Sequence, residues 1–208
     1  MSGAGSIRLV GVERSRAGRA VLSGCDLELP LGGRHVLMGP SGAGKTTALR
    51  LLLGLERPDA GRVEVPEGLR MAAAFQDDLL CEGLSASANV RLVMPAHGRG
   101  ERRERLAEAL GALEGLGVPC EPRPVSRLSG GQRRRVALAR CVMAGADLLA
   151  FDEPLRGLDR ETAGLVVSWM LPRLRGRTVV WVTHDPADAA AIGASTVWEL
   201  RDGRFVRA

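Results

Sequence analysis

Hydrophobic and polar positions follow two spacings along this chain, one typical of strands and the other typical of helices. Short apolar runs bounded by turn residues predict strands, at residues 7–12, 25–29, 34–38, 61–65, 71–75, 148–151 and 178–182. Apolar positions three or four residues apart predict helices, at residues 46–53, 105–114, 132–143 and 160–171. A further short helix and a hairpin that turns at Asp202-Gly203 complete the pattern. Because strands alternate with helices, we expect an α/β fold around a parallel sheet that is covered on both faces.

The pattern changes between residues 78 and 127, where turn-rich stretches, one of them at residues 95–98, surround a helix. Leu106, Leu110 and Leu113 share one face of that helix. We therefore expect a single domain over residues 1–208, with a small helical subdomain inserted at residues 78–127. Because the chain has no Tyr, three Phe and three Trp, its core must consist mainly of Leu, Val and Ala.

The segment between the strand at residues 34–38 and the helix at residues 46–53 predicts phosphate binding. Only one of the 29 basic residues is a lysine, and this residue, Lys45, lies in the sequence Gly-Pro-Ser-Gly-Ala-Gly-Lys-Thr. In such a loop the glycines let backbone N–H groups turn inward around phosphates, the lysine reaches the β and γ oxygens, and Thr46 can ligate Mg²⁺. The predicted nucleotide-binding residues of the loop are Gly39, Pro40, Ser41, Gly42, Ala43, Gly44, Lys45, Thr46 and Thr47.

The composition argues against a zinc-binding, disulfide-rich, secreted or membrane-spanning protein. The four cysteines lack C-x-x-C spacing, which argues against a zinc site or a disulfide framework and fits a reducing cytosol. The first six residues show no basic region followed by an apolar stretch, and the apolar run at residues 136–151 is interrupted by Arg140 and Asp147. We therefore expect neither a secretory signal nor a membrane span. The net charge of +5 does not choose between nucleic acid, a membrane surface and no specific partner.

Three further motifs follow the loop in order. Leu-Ser-Gly-Gly-Gln at residues 128–132 opens a predicted helix, where Ser129 is a good N-cap and the glycines expose backbone amides that can bind an anion. One buried strand ends in Asp152-Glu153 and the next is followed by His184, which places these side chains at the edge where ligands bind in open α/β sheets. A capped helix, an acidic strand end and a structural histidine are the ordinary alternatives. Because the motifs follow a phosphate loop in this order, a role in nucleotide binding and catalysis is favoured over these structural alternatives.

With these motifs the chain resembles the ATP-binding-cassette (ABC) ATPases from about residue 7 to residue 205. The resemblance implies a P-loop NTPase (RecA-like) core, an N-terminal antiparallel β subdomain and the inserted α-helical subdomain. It also implies ATP and Mg²⁺ as cofactors and ATP hydrolysis as the activity.

The resemblance further implies a role for each motif. The catalytic residues would be Lys45, Gln76, Glu153 and His184, of which Glu153 polarises the attacking water and His184 contacts the γ-phosphate. The magnesium ligands would be Thr46, Gln76 and Asp152, the last of them through water. The residues that contact nucleotide or lie at the interface with a second cassette would be Ser129, Gly130, Gly131, Gln132 and Asp159.

In this family two cassettes face each other head to tail, and the motif at residues 128–132 caps the ATP that is bound to the other cassette. We therefore expect a homodimer that closes on ATP and reopens after hydrolysis. The further expected partner is an integral membrane transporter subunit, gripped through the helical insert, together with a solute-binding protein in an importer. This arrangement implies a cytoplasmic chain that is peripheral on the inner face of the cell membrane.

Three functions remain open at this point. Residues 76–80 and 88–90 are most similar to bacterial importer cassettes of the thiamine, molybdate or iron type. Exporter cassettes of the haem or lipoprotein type are an alternative. ABC ATPases that act on nucleic acid usually have coiled-coil insertions or two fused cassettes, so we expect no nucleic-acid partner. The arginines at residues 133–135 are then expected to face solvent, the partner cassette or its nucleotide, and those at 102, 103 and 105 to form a solvated helix face.

The chain departs from the family in two places. Many cassettes stack adenine on an aromatic residue near the positions of Arg14, Ser15 and Arg16, where this chain has none. We therefore expect weaker discrimination for adenine, with Arg14 or Arg16 stacking as a cation in its place. Arg156 occupies a position where the family usually has a small residue, and it either reaches across the dimer or points outward.

Overall fold

The computed structural model describes residues 5–95 and 102–208. Its strands are β1 (Ser6–Arg16), β2 (Arg19–Pro30), β3 (Arg34–Met38), β4 (Ala60–Glu64), β5 (Met71–Ala74), β6 (Leu148–Asp152), β7 (Thr178–Val182), β8 (Thr196–Arg201) and β9 (Arg204–Arg207). Its α-helices are α1 (Lys45–Leu52), α2 (Ala86–Arg91), α3 (Arg102–Gly115), α4 (Gly130–Val142), α5 (Arg160–Met170) and α6 (Pro186–Ala191). The turn predicted at residues 95–98 lies, from residue 96 onward, outside the described residues.

The chain divides into two compact units, of which unit 1 comprises the chain up to Met71, Asp147–Glu153 and Gly176–Ala208. Unit 1 contains an antiparallel sheet in which β1 lies between β2 and β4. It also contains parallel strands in the order β6, β7, β3 and β8, with β9 antiparallel to β8. The predicted α/β fold with an N-terminal antiparallel β subdomain is therefore confirmed.

The first two strands are longer than the apolar pattern predicts. They pair from Ser6 opposite Pro30 to Arg16 opposite Arg19, so the predicted segments cover only the end of the hairpin that lies away from its turn. The hairpin turns at Ala17-Gly18, where φ is 47° and 76°. One face of an antiparallel hairpin can be solvated, so polar residues extend these strands without an apolar signal.

The strands β6 and β7 are buried along their whole length and form the centre of the unit 1 core. Phe151 and Trp181 pack against each other there, with ring centroids 5.3 Å apart. The indole N–H of Trp181 donates to Asp188 Oδ2 at 3.1 Å, which satisfies a polar group that burial would otherwise leave without a partner. The remaining core side chains are mainly Leu, Val and Ala, as composition predicts.

Unit 2 comprises Ala72–Ala146 and Pro154–Arg175 and contains α2 to α5. It therefore includes the segment predicted as an insert and also α4 and α5. The apolar spacing does not predict α2, which begins after the N-cap Ser85, whose Oγ accepts from the backbone N–H of Ala88 at 3.2 Å. In the described part of the chain, no helix combines the length and the apolar character needed to span a membrane.

The predicted solvated face of α3 is only partly correct. Arg102 and Arg103 are exposed, but Arg105 is half-buried. Its guanidinium donates to the carbonyl groups of Arg91 and Met94, the latter at 2.9 Å. Arg105 therefore belongs to the packing between α3 and the segment that follows α2.

The prediction for the three consecutive arginines at residues 133–135 is wrong for Arg134, which is only 5% exposed. Its neighbour Arg133 pairs with Glu82, and Arg135 donates to the carbonyl of Leu116 at 2.7 Å. A guanidinium carries five N–H donors, so one side chain can hold several acceptors at once. These arginines bind loops within unit 2.

His35 is a buried histidine near the start of the central strand β3. Its Nε2 lies 2.8 Å from the carbonyl oxygen of Pro30, so this nitrogen carries a proton and donates, and Nδ1 lies 2.7 Å from Thr196 Oγ1. Burial lowers the pKa of His35, and the hydrogen bond to the Pro30 carbonyl partly opposes this shift.

We expect the thermal stability of the protein to fall as the pH drops below about 6.5, the ordinary pKa of histidine. In that range the unfolded imidazole takes up a proton that folded His35 does not yet bind, so protonation favours the unfolded state. The contribution is complete above this pH and is lost toward the lower pKa of the folded form. Circular dichroism melts between about pH 8 and pH 5 should show a smaller loss of Tm in His35→Gln, and equal losses would contradict the assignment.

Candidate nucleotide-binding site

The predicted phosphate loop lies between β3 and α1 in unit 1, and its path depends on glycine. Gly39, Gly42 and Gly44 have φ values of 147°, 79° and 112°, which other residues rarely adopt. A Cβ atom on Gly44 would lie 2.9 Å from the carbonyl oxygen of Val21, and one on Gly39 would lie 3.1 Å from that of Leu200. Backbone atoms of β2 and β8 therefore lie close to the loop, and glycine is the residue that fits at these two contacts.

The side chain of Lys45 is fixed by hydrogen bonds to backbone carbonyl groups of this loop. Its Nζ donates to the carbonyl groups of Gly39 and Pro40 at 2.6 and 2.9 Å, and the residue is only 6% exposed. Burial lowers the pKa of Lys45, while the negative charges of Glu153 and Asp152 act against this shift. The ammonium group thus lies against the predicted phosphate loop, with nearby carboxylates that favour its charged form.

Two oxygen atoms that could ligate a metal ion lie together beside the loop. The hydroxyl of Thr46 donates a hydrogen bond to Asp152 Oδ2 at 2.7 Å. Thr46 lies in the first turn of α1, and Asp152 is the last residue of β6 and is 2% exposed. A hydroxyl and a carboxylate are hard oxygen ligands of the kind that Mg²⁺ binds in combination with substrate phosphates. This donor set fits the predicted magnesium site.

Glu153 and His184 form a pair at the ends of β6 and β7. His184 Nδ1 lies 2.9 and 2.8 Å from the two carboxylate oxygens of Glu153. The backbone of Glu153 has φ of 50°, a conformation that costs about 1–3 kcal/mol outside glycine and that accumulates at functional sites. The N–H of Glu153 donates to the carbonyl of Val182 at 2.9 Å, which holds the strained residue in place. The imidazole of His184 thus orients the Glu153 carboxylate.

The remaining predicted site residues lie in unit 2. Ser129 caps α4: its Oγ accepts from the N–H of Gln132 at 3.3 Å, and its own N–H donates to Gln132 Oε1 at 3.0 Å. Asp159 caps α5 by accepting from the N–H of Thr162 at 2.8 Å. Gln76 is exposed just after β5, and Arg156 is also exposed. The approach of these unit 2 residues to a nucleotide stays a prediction.

Two cavities adjoin the phosphate loop within unit 1. One of about 260 Å³ contains Gly39, Pro40 and His184 in its wall. The other, of about 550 Å³, lies against Gly42-Ala43 and is bounded by the start of β2 and the β8–β9 hairpin. The sequence pattern did not identify Arg19, Val21 and Leu200 as neighbours of the loop, because the contacts are distant along the chain and carry no motif.

Known proteins resemble this chain over almost its whole length. The family model described as ABC transporter matches residues 22–156. The aliphatic sulfonates import ATP-binding protein SsuB 1 of Rhizobium johnstonii is 37% identical, over 96% of this chain and 75% of its own length. The Fe(3+) ions import ATP-binding protein FbpC of Mesorhizobium japonicum is 36% identical over 96% of this chain, which spans only 59% of that relative.

Solved structures show the same relationship. A dimeric ATP-binding cassette, MJ0796, bound to ADP and Pi superposes with a TM-score of 0.83 at 26% identity, over 97% of both chains. A bacterial Atm1-family ABC exporter with ATP bound gives a TM-score of 0.80 at 25% identity, over 99% of this chain and 38% of the exporter chain. The chain therefore belongs to the ABC transporter family, as an ATP-binding cassette whose ATP hydrolysis is coupled to transport.

Proposed function

We propose that this chain binds Mg-ATP on the loop at residues 39–47, hydrolyses it with Glu153 and His184, and so drives a separate membrane subunit. The observation that carries the proposal is the convergence in unit 1 of three features at one sheet edge. These are Lys45 over the loop, the Thr46–Asp152 contact of 2.7 Å, and the Glu153–His184 pair at 2.8 Å.

The residues divide the chemistry between them. The loop amides and Lys45 bind the β and γ phosphates, and catalysis in such sites rests on positioning and charge neutralisation. Thr46 and Asp152 would hold Mg²⁺, for which the family resemblance implies Gln76 as a further ligand, and the ion would supply positive charge to the phosphate oxygens. Glu153 orients the attacking water and accepts its proton, while His184 fixes the Glu153 carboxylate and reaches the γ-phosphate.

The second half of the site comes from a second cassette, and a homodimer is the simplest arrangement. Ser129 and Gly130 are exposed at the N-terminus of α4, where backbone N–H groups and the helix dipole favour an anion. In our proposal this end of α4 caps the γ-phosphate that the other copy holds. The dimeric form of MJ0796 supports this arrangement. Asp159, at the N-terminus of α5, lies at the interface between the copies.

Import is the direction that the sequence relatives favour. The relatives named above are import ATP-binding proteins for aliphatic sulfonates and for Fe(3+) ions. We propose an importer of a small solute such as a sulfonate or an iron ion, whose partners are a membrane subunit and a solute-binding protein. The cassette would then be peripheral on the cytoplasmic face of the membrane. Export remains the second candidate, because the Atm1-family exporter contains the same fold.

We further propose that the nucleoside lies in the 550 Å³ cavity beside Gly42-Ala43, because the smaller cavity contains His184 and so belongs to the γ-phosphate end. Among the described residues, those around this larger cavity include Arg19 and Arg201 and no aromatic side chain. Arg14 and Arg16, the predicted substitutes for an adenine-stacking residue, are held instead in ion pairs with Asp59 and Glu56.

Lys45→Ala should weaken Mg-ATP binding about tenfold to a hundredfold, because charged hydrogen bonds are worth about 1.5–3 kcal/mol each. Isothermal titration with ATP measures the effect. Arg57→Ala removes an exposed positive charge elsewhere in unit 1 and serves as the matched control. Equal affinity in the Lys45 variant and this control would contradict the assignment of the loop.

Glu153→Gln should lower kcat at least about a hundredfold, the typical contribution of a general base, while ATP still binds. Because the closed state is then not consumed, the variant should accumulate as a dimer in saturating Mg-ATP, measured by light scattering after gel filtration. Glu161→Gln, on the first turn of α5, is the control and should turn over normally. A monomeric Glu153→Gln protein under these conditions would count against the two-cassette mechanism.

GTP should be hydrolysed within about tenfold of the rate for ATP at matched concentrations. Base stacking on an aromatic residue contributes about 1–3 kcal/mol, and the proposed nucleoside cavity lacks such a residue. Phosphate release with both nucleotides gives the ratio of kcat/KM, and loss of both activities in Lys45→Ala shows that they share one site. Turnover of GTP more than about a hundredfold slower than ATP would refute this expectation.

A further inference from the structure

Arg134 is a charged residue buried inside unit 2, on the second turn of α4. Its Nε donates to the carbonyl oxygen of Pro154 at 3.0 Å, and its Nη1 donates to the carbonyl oxygen of Phe75. The carboxylate of Asp78 lies 3.3 Å from the same Nη1. Burial of a guanidinium is costly unless its donors are satisfied, so these contacts determine where the side chain and its partners must lie.

The two carbonyl groups belong to residues that are adjacent in sequence to proposed catalytic residues. Phe75 directly precedes Gln76, and Pro154 directly follows Glu153. They also lie close to two of the points where the chain passes between unit 1 and unit 2, after Met71 and after Glu153. A single planar group on the helix that Ser129 caps therefore holds the backbone on which two of the proposed catalytic residues depend.

A second arginine of α4 strengthens the same attachment. Arg140 donates to the carbonyl groups of Leu79 and Asp78 at 2.9 and 3.0 Å. The segment that follows Gln76 is thus fixed to α4 at several consecutive carbonyls. Burial raises the pKa of Asp78, and the neighbouring arginines, Arg134 first among them, act against this shift. The Nη1–Asp78 contact of 3.3 Å is longer than the Nε contact of 3.0 Å to the Pro154 carbonyl.

We propose that Arg134 is a positioning residue for ATP hydrolysis, which fixes the backbone next to Gln76 and Glu153 relative to α4. It acts through the carbonyl groups of Phe75 and Pro154. This proposal rests on the proposed function, because the roles of Gln76 and Glu153 come from it.

The test compares Arg134→Gln and Arg134→Lys with Arg105→Gln. Arg105 is the matched control because it is also partly buried in unit 2 and also donates to two backbone carbonyls, but at Arg91 and Met94. We expect Arg134→Gln to lower kcat about tenfold to a hundredfold per folded molecule, since small misplacements of catalytic groups have effects of this size. The KM for ATP should stay within about threefold, and Arg134→Lys, which keeps a charged donor, should lose less kcat.

Hydrogen exchange of the 208-residue chain provides a readout that does not require activity. In Arg134→Gln, amide exchange should accelerate in peptides that cover residues 75–79 and 155–158, and in Arg105→Gln it should accelerate around residues 91–95 instead. Localised exchange with lowered kcat and unchanged KM supports the proposal. Should Arg134→Gln fail to fold, Arg134→Lys decides by the same two measurements.

Three results would overturn the proposal: unchanged kcat in folded Arg134 variants, equal losses of kcat in Arg134→Gln and Arg105→Gln, or exchange that rises evenly through unit 2. Absence of ATP turnover in the wild-type protein would instead count against the proposed function. In that case the exchange experiment still shows whether Arg134 fixes the two backbone segments.

Discussion

The nucleotide site depends on the row of backbone hydrogen bonds that aligns the ends of three parallel strands. Leu37 of β3 is in register with Val182 of β7, which in turn is in register with Asp152 of β6. Because parallel pairing aligns these residues, the phosphate loop, His184 and the acidic pair all follow the same edge of the sheet. A shift of β6 by one residue would turn Asp152 to the opposite face, since side chains alternate along a strand. The chemistry of the edge is therefore a consequence of sheet register.

This edge also sets an electrostatic requirement. Two carboxylates, those of Asp152 and Glu153, act on the buried ammonium of Lys45. A triphosphate at the same place adds several negative charges, which one lysine cannot balance. In the proposed site the loop amides would supply partial positive charge, and a divalent cation held by the Thr46 and Asp152 oxygens would supply the rest. The proposal of one site for a magnesium-bound nucleotide thus accounts for the loop and the acidic strand end together.

Sequence patterns predicted the parts of the fold and site whose physics is local. The buried strands β6 and β7, the glycine loop and the Ser129 cap all combine short spacing with a clear backbone requirement. The patterns did not predict contacts between distant segments, such as the carbonyl of Leu200 against Gly39. They were wrong for Arg134, because charge predicts exposure unless acceptors are available, and here the acceptors are backbone carbonyls far away in sequence. Burial of a cation is set by its partners, which a linear pattern does not contain.

The contrast between the arginines and the single lysine follows from the same reasoning. Several arginines of unit 2 donate to backbone carbonyl groups, namely Arg105, Arg134, Arg135, Arg140 and Arg173. A guanidinium stays charged when buried and offers donors in a rigid plane, which suits contacts that must not change. Lys45 has a compact ammonium on a flexible stem, and its present acceptors are the carbonyls of Gly39 and Pro40 on the loop. Such a group can exchange these acceptors for phosphate oxygens without moving the backbone, whereas a planar guanidinium would need a wider loop. In unit 2 arginines thus hold backbone carbonyl groups, whereas the single lysine lies where the proposed ligand would bind and leave.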